Sequence, residues 1–467
     1  MNIIEALDDA DVFRPFFKRT SWATWRVVFK AALALPMTDA ELATYRGFTG
    51  RQTAPTKPFR EVCLVVGRRG GKSRAMSLLA TFMAAFVDWT PHLAPGERAT
   101  VMIICADRKQ SRIVMRYIVG MFDQIPMLAG LVTDRTKETL TLSNGIIIEI
   151  ATASFRVTRG YSIALCIADE VAYWKSEDSS APDVEIFRAL RPSLATLPGS
   201  MLILASSPYR KRGVLYETHR RHYGVEDAPT LVWQAPTTAM NPDIDMEFIA
   251  QSFRDDPISA ACELNAEFRG DIADYISVDS VRACVVPGRV SLPRSSGHFA
   301  FCDLAGGGAD SHALAIAHTG PDGIGVLDLV EEIRGPSSPE DAVARFAAIC
   351  AEYKCRQVTG DRYAASWPVL RFAAQVPPIV YEQSQVAKGE IYANTLPLIL
   401  SQRVELLDDD RLVTQLASLE RRLAWGGRTS VDHPPGGHDD RANAVAGALL
   451  LASGRISGGE LWARLAG

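Results

Sequence analysis

Short runs of apolar residues alternate with longer segments of mixed polarity through the first half of this 467-residue chain. The apolar runs are Val62–Val66, Val101–Cys105, Ile146–Ile150, Leu165–Ala168 and Met201–Ala205. Strands buried on both faces of a parallel sheet show such runs, and longer segments such as Arg74–Val87 and Gln110–Phe122 fit the connecting helices. The pattern therefore predicts an α/β fold with helices on both faces of a parallel sheet. Within it, Thr133–Ile150 predicts a local hairpin that turns at Ser143-Asn144-Gly145.

The second half of the chain has a different order of elements. Three consecutive strands are predicted at Phe299–Leu304, Ala313–His318 and Ile324–Leu329. A helix at Pro339–Tyr353, a strand through Val358, a further helix and a strand at Ile379–Tyr381 follow. Three antiparallel strands followed by alternating helices and parallel strands form the order of a mixed, RNase H-like sheet. The fold class predicted for the chain is therefore α/β, with a parallel-sheet domain followed by an RNase H-like domain.

Composition and charge exclude several classes of protein. Hydrophobic residues make up 47% of the chain and charged residues 22%, and no apolar run approaches the roughly 20 residues of a membrane span. The first residues lack a secretory signal, so we expect a cytosolic protein without a membrane partner. A net charge of −4 excludes a uniformly basic nucleic-acid-binding surface but allows local arginine patches. The eight cysteines include no CxxC pair and are expected to be buried and reduced.

The strongest motif is Gly67-Arg68-Arg69-Gly70-Gly71-Lys72-Ser73, which directly follows the run Val62–Val66. A strand, a glycine-rich loop and a helix that begins near Lys72 direct backbone N–H groups and the positive end of the helix toward an anion. In the P-loop pattern G-x-x-x-x-G-K-[ST], the lysine binds the β- and γ-phosphates of ATP and the hydroxyl, here of Ser73, binds Mg²⁺. The motif departs from this pattern at Val66, because the first glycine comes one position late, at Gly67.

A second motif downstream complements the loop. The apolar run Ile163–Ala168 ends in Asp169-Glu170. In nucleotide hydrolases an acidic pair at this place holds Mg²⁺ through the first residue and orients the attacking water through the second. Alone, the pair equally suits a cap of the next helix. Together with the loop, it predicts a RecA/ASCE-like P-loop domain that binds and hydrolyses ATP.

Two further segments are candidates for the same site, each with an open alternative. Arg159-Gly160 precedes the Asp169-Glu170 strand, and its arginine suits either a γ-phosphate, in its own or a neighbouring subunit, or a surface turn. Ser206-Ser207-Pro208 follows the run Met201–Ala205, where the hydroxyls either sense the nucleotide state or cap a helix. Gln52 is the candidate for an adenine contact.

The second half carries a separate set of carboxylates. The candidate metal ligands are Asp303, Asp361, Asp439 and Asp440. The first ends a predicted strand, the second follows a later parallel strand, and the last two open a small-residue helix at Ala442–Ala452. Carboxylates in this arrangement suit a nuclease that uses two Mg²⁺ ions about 4 Å apart. Lys388 is a candidate contact to the scissile phosphate, and a solvated loop lysine is the simpler alternative.

These motifs predict four segments along the chain. Residues 1–55 form a helical segment or lid, which covers either the base of a nucleotide or only the sheet edge. Residues 56–240 form the P-loop ATPase core, and 241–296 form a helical segment and linker, with the domain boundary near the loop-rich stretch Pro287–Gly297. Residues 297–467 form the RNase H-like nuclease domain.

Over nearly its whole length the chain resembles the large terminase subunit of tailed bacteriophages. The shared marks are the late-glycine loop Gly67–Ser73, Arg159-Gly160, Asp169-Glu170, Ser206-Ser207-Pro208 and the aspartates of the second half. The resemblance implies that Arg68 is a sensing arginine, that Glu170 is catalytic and that Arg159 reaches the ATP of a neighbouring subunit. It implies that Ser206 and Ser207 couple hydrolysis to movement. It also implies metal ligation by Asp303, Asp361 and one of Asp439 and Asp440, of which Asp440, one step further into the helix, is favoured.

The same resemblance implies a function for the whole chain. A homo-oligomeric ring, a pentamer by resemblance, would drive double-stranded viral DNA through a portal protein into a procapsid, using ATP and Mg²⁺. The nuclease domain would cut concatemeric DNA with Mg²⁺ or Mn²⁺, and a small terminase subunit would select the site. The protein would work in the host cytoplasm and dock transiently on the procapsid portal.

Two other classes of protein share part of this pattern. A P-loop helicase with an inactive second domain is disfavoured by the three acidic positions of the second half. A non-catalytic ATP-binding scaffold is disfavoured because Lys72 and Glu170 are both present.

Overall fold

The computed structural model divides into two compact units. It describes residues 1–17, 20–106, 108–153, 160–174, 182–293, 297–305, 311–335, 338–361, 367–423, 429–434 and 437–453. The first unit contains the described residues up to Gly270, and the second contains those from Asp271 onward. Each unit has its own sheet and its own hydrophobic core.

The first unit is built on an eight-stranded sheet. Its strands are β1 Glu61–Val66, β2 Ala99–Cys105, β3 Val132–Arg135, β4 Thr139–Leu142, β5 Ile147–Thr152, β6 Ser162–Asp169, β7 Met201–Ser206 and β8 Thr230–Ala235. They lie in the order β3-β4-β5-β2-β6-β7-β1-β8. The pairs from β5 to β8 are parallel, whereas β3, β4 and β5 pair antiparallel. The predicted parallel sheet and its hairpin are confirmed.

Helices cover both faces of this sheet, as predicted. They are α1 Ile3–Asp8, α2 Ala23–Ala32, α3 Asp39–Thr49, α4 Lys72–Ala85, α5 Arg108–Gln124, α6 Pro126–Ala129, α7 Pro182–Leu194, α8 Gly213–His222, α9 Thr237–Met240, α10 Met246–Asp255 and α11 Pro257–Glu263. Alternate side chains of β1 enter different clusters, because side chains of a strand point to opposite faces. Leu64 joins a core with Leu78 of α4, and Val65 joins a core with Phe187 of α7.

The strand order brings three functional segments to one edge of the sheet. β7 lies between β1 and β6, and all three run parallel. Their carboxyl ends lead into the glycine-rich loop, into Asp169-Glu170 and into Ser206-Ser207. Motifs that are far apart in the sequence are therefore adjacent at this edge, which is the arrangement expected of a RecA/ASCE-like domain.

The second unit contains a six-stranded mixed sheet in the order β14-β13-β10-β11-β12-β15 and a three-stranded sheet in the order β17-β16-β9. The strands are β9 Ile272–Asp274, β10 His298–Asp303, β11 His312–Thr319, β12 Gly325–Ile333, β13 Gln357–Gly360, β14 Val380–Gln383, β15 Val404–Glu405, β16 Glu420–Leu423 and β17 Thr429–Asp432. The helices are α12 Val278–Arg282, α13 Pro339–Glu352, α14 Trp367–Ala373, α15 Lys388–Leu400, α16 Asp410–Ser418 and α17 Asp440–Ala452. β10, β11 and β12 pair antiparallel, and β10, β13 and β14 pair parallel. The predicted RNase H-like order is confirmed.

Helix α17 packs closely on the six-stranded sheet because it carries small residues. A Cβ atom at Gly447 would lie 2.4 Å from the ring of Phe301 on β10, so only glycine fits at this crossing. The close approach places the first turn of α17 beside the carboxyl end of β10.

One expectation from composition also agrees with the structure. All eight cysteines are buried and free. Among the described residues, every helix is too short or too polar to cross a bilayer.

Candidate functional site

The glycine-rich loop is fixed by side chains from other elements of its unit. The carbonyl oxygens of Arg68, Arg69 and Gly70 accept hydrogen bonds from Thr237 Oγ1 (2.7 Å), Asn241 Nδ2 (3.0 Å) and Trp25 Nε1 (2.9 Å), respectively. Arg69 and Gly71 adopt positive φ angles of 68° and 87°. The loop therefore has one defined path, and α4 begins at Lys72 with its first N–H groups facing the loop, as an anion site requires.

The late glycine has a steric cause. A Cβ atom at Gly67 would lie 2.3 Å from Thr237 Oγ1 and 2.5 Å from the carbonyl oxygen of Leu264. Val66, where the usual pattern has glycine, is instead a buried strand residue whose carbonyl accepts a hydrogen bond from Lys72. The position that needs glycine has moved by one residue because the segment after β8 packs against the loop.

Lys72 lies at the centre of the first candidate site. Its side chain is only 6% exposed, and Nζ donates to the carbonyl of Val66 at 3.0 Å and to Ser207 Oγ at 2.9 Å. Nζ also lies 3.4 Å from Glu170 Oε1. A buried ammonium held directly beside a glycine-rich loop is suited to bind phosphate oxygens.

Glu170 has an unusual backbone conformation. Its φ and ψ are 51° and 46°, in the left-handed region that non-glycine residues rarely adopt. Its Oε2 accepts a hydrogen bond from the Ser207 N–H at 3.1 Å and lies 3.1 Å from Ser206 Oγ. Ser206 and Ser207 thus both contact Glu170, and Ser207 also contacts Lys72. Neither serine caps the next helix, which begins at Gly213.

Asp169 and Ser73 fit a magnesium ion. Ser73 Oγ lies 3.4 Å from Asp169 Oδ2, and Asp169 Oδ1 is buried without a hydrogen-bond partner among the described residues. Burial, reinforced by the charge of Glu170, raises the pKa of Asp169. A buried carboxylate oxygen with no donor beside a hydroxyl is the donor set that Mg²⁺ prefers.

Two other predicted residues, Arg68 and Gln52, make contacts outside this cluster. Arg68 is 65% exposed and pairs with Glu263 of α11 at 3.0 Å, not with Asp169 or Glu170. Gln52 lies near Glu226, which precedes β8, so it is at the amino-terminal edge of the sheet, opposite the loop. It is therefore wrong as the adenine contact. Arg159 lies outside the described residues.

The second candidate site begins at neighbouring strand ends. β10 and β13 pair in parallel with Cys302 opposite Gly360, so the next residues, Asp303 and Asp361, leave adjacent strands at the same edge. Burial raises the pKa of Asp303 to about 7, and the nearby Asp440 and Asp439 carboxylates contribute to the shift. The carbonyl oxygen of Asp361 accepts a hydrogen bond from the Tyr381 hydroxyl at 3.4 Å.

Helix α17 adds further ligand atoms to this site. Asn443, which is fully buried, donates from Nδ2 to Asp303 Oδ2 at 2.7 Å, and its Oδ1 has no hydrogen-bond partner among the described residues. One turn earlier, Asp440 Oδ2 is also buried without such a partner. Burial and the charge of Asp439 raise the pKa of Asp440 to about 6. Clustered oxygen atoms that lack donors and carboxyl groups whose anions repel one another fit a site for divalent cations.

Asp439 and Lys388 form a pair next to these ligands. Asp439 is 3% exposed and accepts hydrogen bonds from Lys388 Nζ at 2.8 Å and from the Tyr392 hydroxyl at 2.7 Å. Although burial opposes its protonation, the Asp439 carboxylate raises the pKa of Lys388 overall. Lys388 is the first residue of α15, so the alternative of a solvated loop lysine is wrong.

Several residues of both sites are not visible in the sequence motifs. Trp25 and Thr237 reach the loop from elements distant in the sequence, and only the fold brings them there. Asn443 has a signal that sequence reasoning missed, since it follows Asp439 by four residues and Asp440 by three in a helix, and such residues share a face.

Comparisons with known proteins give structural similarities only. No protein-family model and no curated protein matches the chain. Among solved structures, the chain is similar to the large terminase of bacteriophage HK97, with 17% identity, 91% of this chain and 99% of the other covered, and a TM-score of 0.38. It is similar to the ADP complex of a large terminase from a thermophilic bacteriophage, with 12% identity, 89% and 99% coverage, and a TM-score of 0.39.

A nuclease domain solved on its own is also similar to part of the chain. The large terminase nuclease of thermophilic phage G20c with bound magnesium matches at 18% identity, with 37% of this chain and 96% of the other covered and a TM-score of 0.30. These structures belong to the family that the sequence resembles. With TM-scores below 0.5, they carry no inference about the function of this chain.

Proposed function

We propose that the chain is a large terminase subunit, an ATP hydrolase that moves double-stranded DNA and a metal-dependent endonuclease that cuts it. One observation carries this proposal: a single chain holds two separate carboxylate sites, one beside a phosphate-binding loop and one on an RNase H-like sheet. The sequence resemblance supplies the biological setting of procapsid, portal protein, small subunit and ring, with ATP and Mg²⁺ as cofactors and Mn²⁺ as an alternative in the second site.

In the first site, the residues of this chain bind and orient the nucleotide. Lys72 and the first N–H groups of α4 hold the phosphates, and Ser73 and Asp169 would hold Mg²⁺, which neutralises charge on the phosphate oxygens. Glu170 orients the attacking water, since its carboxylate is fixed by the Ser207 N–H and faces Lys72. The contacts of Ser206 and Ser207 with Glu170, and of Ser207 with Lys72, support a role in coupling. Arg68 as sensor and Arg159 as the arginine of a neighbouring subunit belong to the proposal through the resemblance.

In the second site, Asp303, Asp361 and Asp440 would hold the metal ions, which activate water and stabilise the leaving oxygen of a phosphodiester. Asp440 is the better third ligand because Asp439 already accepts hydrogen bonds from Lys388 and Tyr392. Asp439 instead holds Lys388 beside the site, where its ammonium can meet the phosphate. This arrangement of carboxylates and a lysine disfavours a helicase with an inactive second domain, because such a protein would not need them to lie together.

Two single substitutions in the full chain test whether the sites are distinct. Lys72→Ala should lower ATP hydrolysis at least about a hundredfold and leave nicking of plasmid DNA in Mg²⁺ unchanged. Asp303→Asn should lower nicking by a similar factor and leave ATP hydrolysis unchanged. Lys57→Ala and Asp341→Asn, at exposed positions of the respective units, are the matched controls. Unchanged nicking by the Asp303→Asn variant would contradict the nuclease assignment, and unchanged ATP hydrolysis by Lys72→Ala would contradict the motor.

A further inference from the structure

Two histidines and an aspartate meet at the end of the six-stranded sheet that lies opposite Asp303. His298 begins β10, His318 lies near the end of β11, and Asp328 lies on β12. His298 and His318 are register partners, and Asp303 ends the same strand that His298 begins. This His-His-Asp cluster is therefore separated from the proposed nuclease site by the length of a strand, and no step of the proposed function uses it.

The potential ligand atoms of the cluster are close together. His318 Nδ1 lies 2.8 and 2.9 Å from the two carboxylate oxygens of Asp328, and His298 Nε2 lies 3.6 Å from Asp328 Oδ2. One atom from each side chain lies within 4.8 Å of the others. The side chains of His298 and Asp328 are 0% and 1% exposed, whereas that of His318 is 28% exposed. The cluster is thus buried on one side and accessible to solvent on the other.

The ring of His298 is oriented by a backbone group. Its Nδ1 lies 3.1 Å from the carbonyl oxygen of Tyr353, and because a carbonyl only accepts, Nδ1 carries the hydrogen. In the neutral ring the lone pair of Nε2 then faces the Asp328 carboxylate, which is also an acceptor. A histidine that donates its other ring N–H to a carbonyl is the usual arrangement of a metal ligand.

A cation bound between these groups would offset the free-energy cost of burying the Asp328 carboxylate. The Asp328 side chain is 1% exposed, and a carboxylate held away from water is costly unless a cation or hydrogen-bond donors compensate it. Two imidazoles and one carboxylate are donors that zinc and similar ions accept, whereas Mg²⁺ and Ca²⁺ prefer oxygen ligands alone.

We propose that His298, His318 and Asp328 bind a divalent transition-metal ion of the zinc class, at a site separate from the Asp303 site. Zn–N and Zn–O distances of about 2.0–2.1 Å place tetrahedral ligand atoms about 3.3 Å apart, close to the 3.6 Å between His298 and Asp328. The more exposed His318 moves slightly outward, and water completes the coordination. This proposal stands independently of the terminase assignment.

The ion would hold together three strands at the end of the six-stranded sheet that lies opposite Asp303. It would link β10, β11 and β12 directly. The Leu292 N–H donates to the carbonyl of Asp328 at 2.8 Å, and the Tyr353 hydroxyl donates to the carbonyl of Leu292 at 2.9 Å. Metal binding would therefore also stabilise the segment that leads into β10.

The test uses the full chain, stripped with a chelator, reloaded with ZnCl₂ and passed over a desalting column. Metal content and the melting temperature are measured for the wild type, His318→Asn, Asp303→Asn and the exposed control His92→Asn. We expect one tightly held zinc and a zinc-dependent rise in melting temperature in all proteins except His318→Asn. In that variant zinc affinity should fall at least about tenfold.

Other outcomes overturn the proposal. If His318→Asn keeps its zinc while Asp303→Asn loses it, the ion belongs to the nuclease site. If the wild type holds no zinc, the cluster is not a metal site and its contacts are hydrogen bonds and packing within the protein alone. Should the His318→Asn variant fail to fold, the visible spectrum of the Co²⁺-loaded wild type decides. Tetrahedral bands without a thiolate charge-transfer band support the site, and an octahedral spectrum, as expected of oxygen ligands alone, rejects it.

Discussion

At the scale of single residues, Glu170 combines a candidate catalytic carboxylate with an unusual backbone conformation. Its left-handed φ of 51° costs roughly 1–2 kcal/mol for a residue with a Cβ atom. The hydrogen bond from the Ser207 N–H and the contact with Lys72 hold the carboxylate in place. A strained residue that its neighbours hold in this way is a feature of functional sites rather than of ordinary strand ends.

The substitution Glu170→Gln separates binding from hydrolysis. Glutamine keeps the length of the side chain but cannot activate water, so ATP hydrolysis should fall at least about a hundredfold. Nucleotide affinity should be retained, because Lys72 and the α4 N–H groups still bind the phosphates. Calorimetric titration with a non-hydrolysable ATP analogue and a phosphate-release assay measure the two quantities, with the exposed Glu267→Gln as control. Loss of binding together with hydrolysis would show that Glu170 instead supports the shape of the loop.

Asn443 is a positioning residue of the second site, through its hydrogen bond to Asp303. Its replacement by alanine should raise the Mg²⁺ concentration needed for half-maximal nicking by about 10–100-fold, the usual effect of losing a group that orients a metal ligand. A merely structural role would lower the nicking rate at every Mg²⁺ concentration alike. A Mg²⁺ titration of plasmid nicking distinguishes the two, and Asn394→Ala, on the partly exposed face of α15, is the control.

At the scale of elements, local patterns predict what is uniformly apolar and miss what depends on distant partners. The central strands of the first sheet were predictable because each is buried along its length. β16 reads Glu-Arg-Arg-Leu and has no such signal, since it is held by pairing with β9 and β17 and by an ion pair between Arg422 and Glu420. The start of α15 at Lys388 also has no local signal, because Asp439, which pairs with Lys388, lies far along the chain.

The same contrast applies to the candidate sites. Asp169, Asp303 and the glycine-rich loop were predictable, because each directly follows an apolar run that marks a strand end. Trp25, Thr237 and Glu263 carry no local signal of their contact with the loop. Packing of distant segments decides those contacts, and periodicity along the chain contains no information about it.

Gly67 and Gly120 allow a matched test of the loop. Gly67→Ala would place a Cβ atom 2.3 Å from Thr237 Oγ1 and should destabilise the first unit by about 1–3 kcal/mol, with loss of ATP binding. Gly120→Ala, within α5 and with no atom within 4 Å, should instead stabilise by up to about 1 kcal/mol. Denaturant titrations and nucleotide binding measure both variants. Equal effects would show that the late glycine is not a steric requirement.

At the scale of the whole molecule, the segment before β10 belongs to the second unit. β9 pairs with β16, and Val281 of α12 is fully buried in the core that contains Phe301. The Tyr275 hydroxyl donates to the carbonyl of Tyr392 at 2.6 Å, and the Tyr392 hydroxyl donates to Asp439. Two hydrogen bonds that share Tyr392, one at its carbonyl oxygen and one at its hydroxyl, thus connect the start of this unit to the proposed nuclease site.

Two fragments of the second half should therefore differ in stability and in activity. A fragment of residues 271–467 should unfold cooperatively and nick plasmid DNA in Mg²⁺. A fragment of residues 297–467 lacks β9 and the buried Tyr275 and Val281, and should be less stable by at least about 3 kcal/mol, since loss of one large core side chain costs about 2–5 kcal/mol.

Removal of one hydroxyl group distinguishes a loss of activity caused by lower stability from one caused by a change at the proposed nuclease site. Tyr275→Phe in the longer fragment keeps the ring but removes the hydrogen bond to Tyr392. The nicking rate should therefore fall while the free energy of unfolding changes little. If the two fragments melt at the same temperature and nick equally fast, residues 271–296 are a linker and the second unit begins at β10. If only the shorter one is inactive, and Tyr275→Phe is slow but stable, the start of the unit acts on the site through Tyr392 and Asp439.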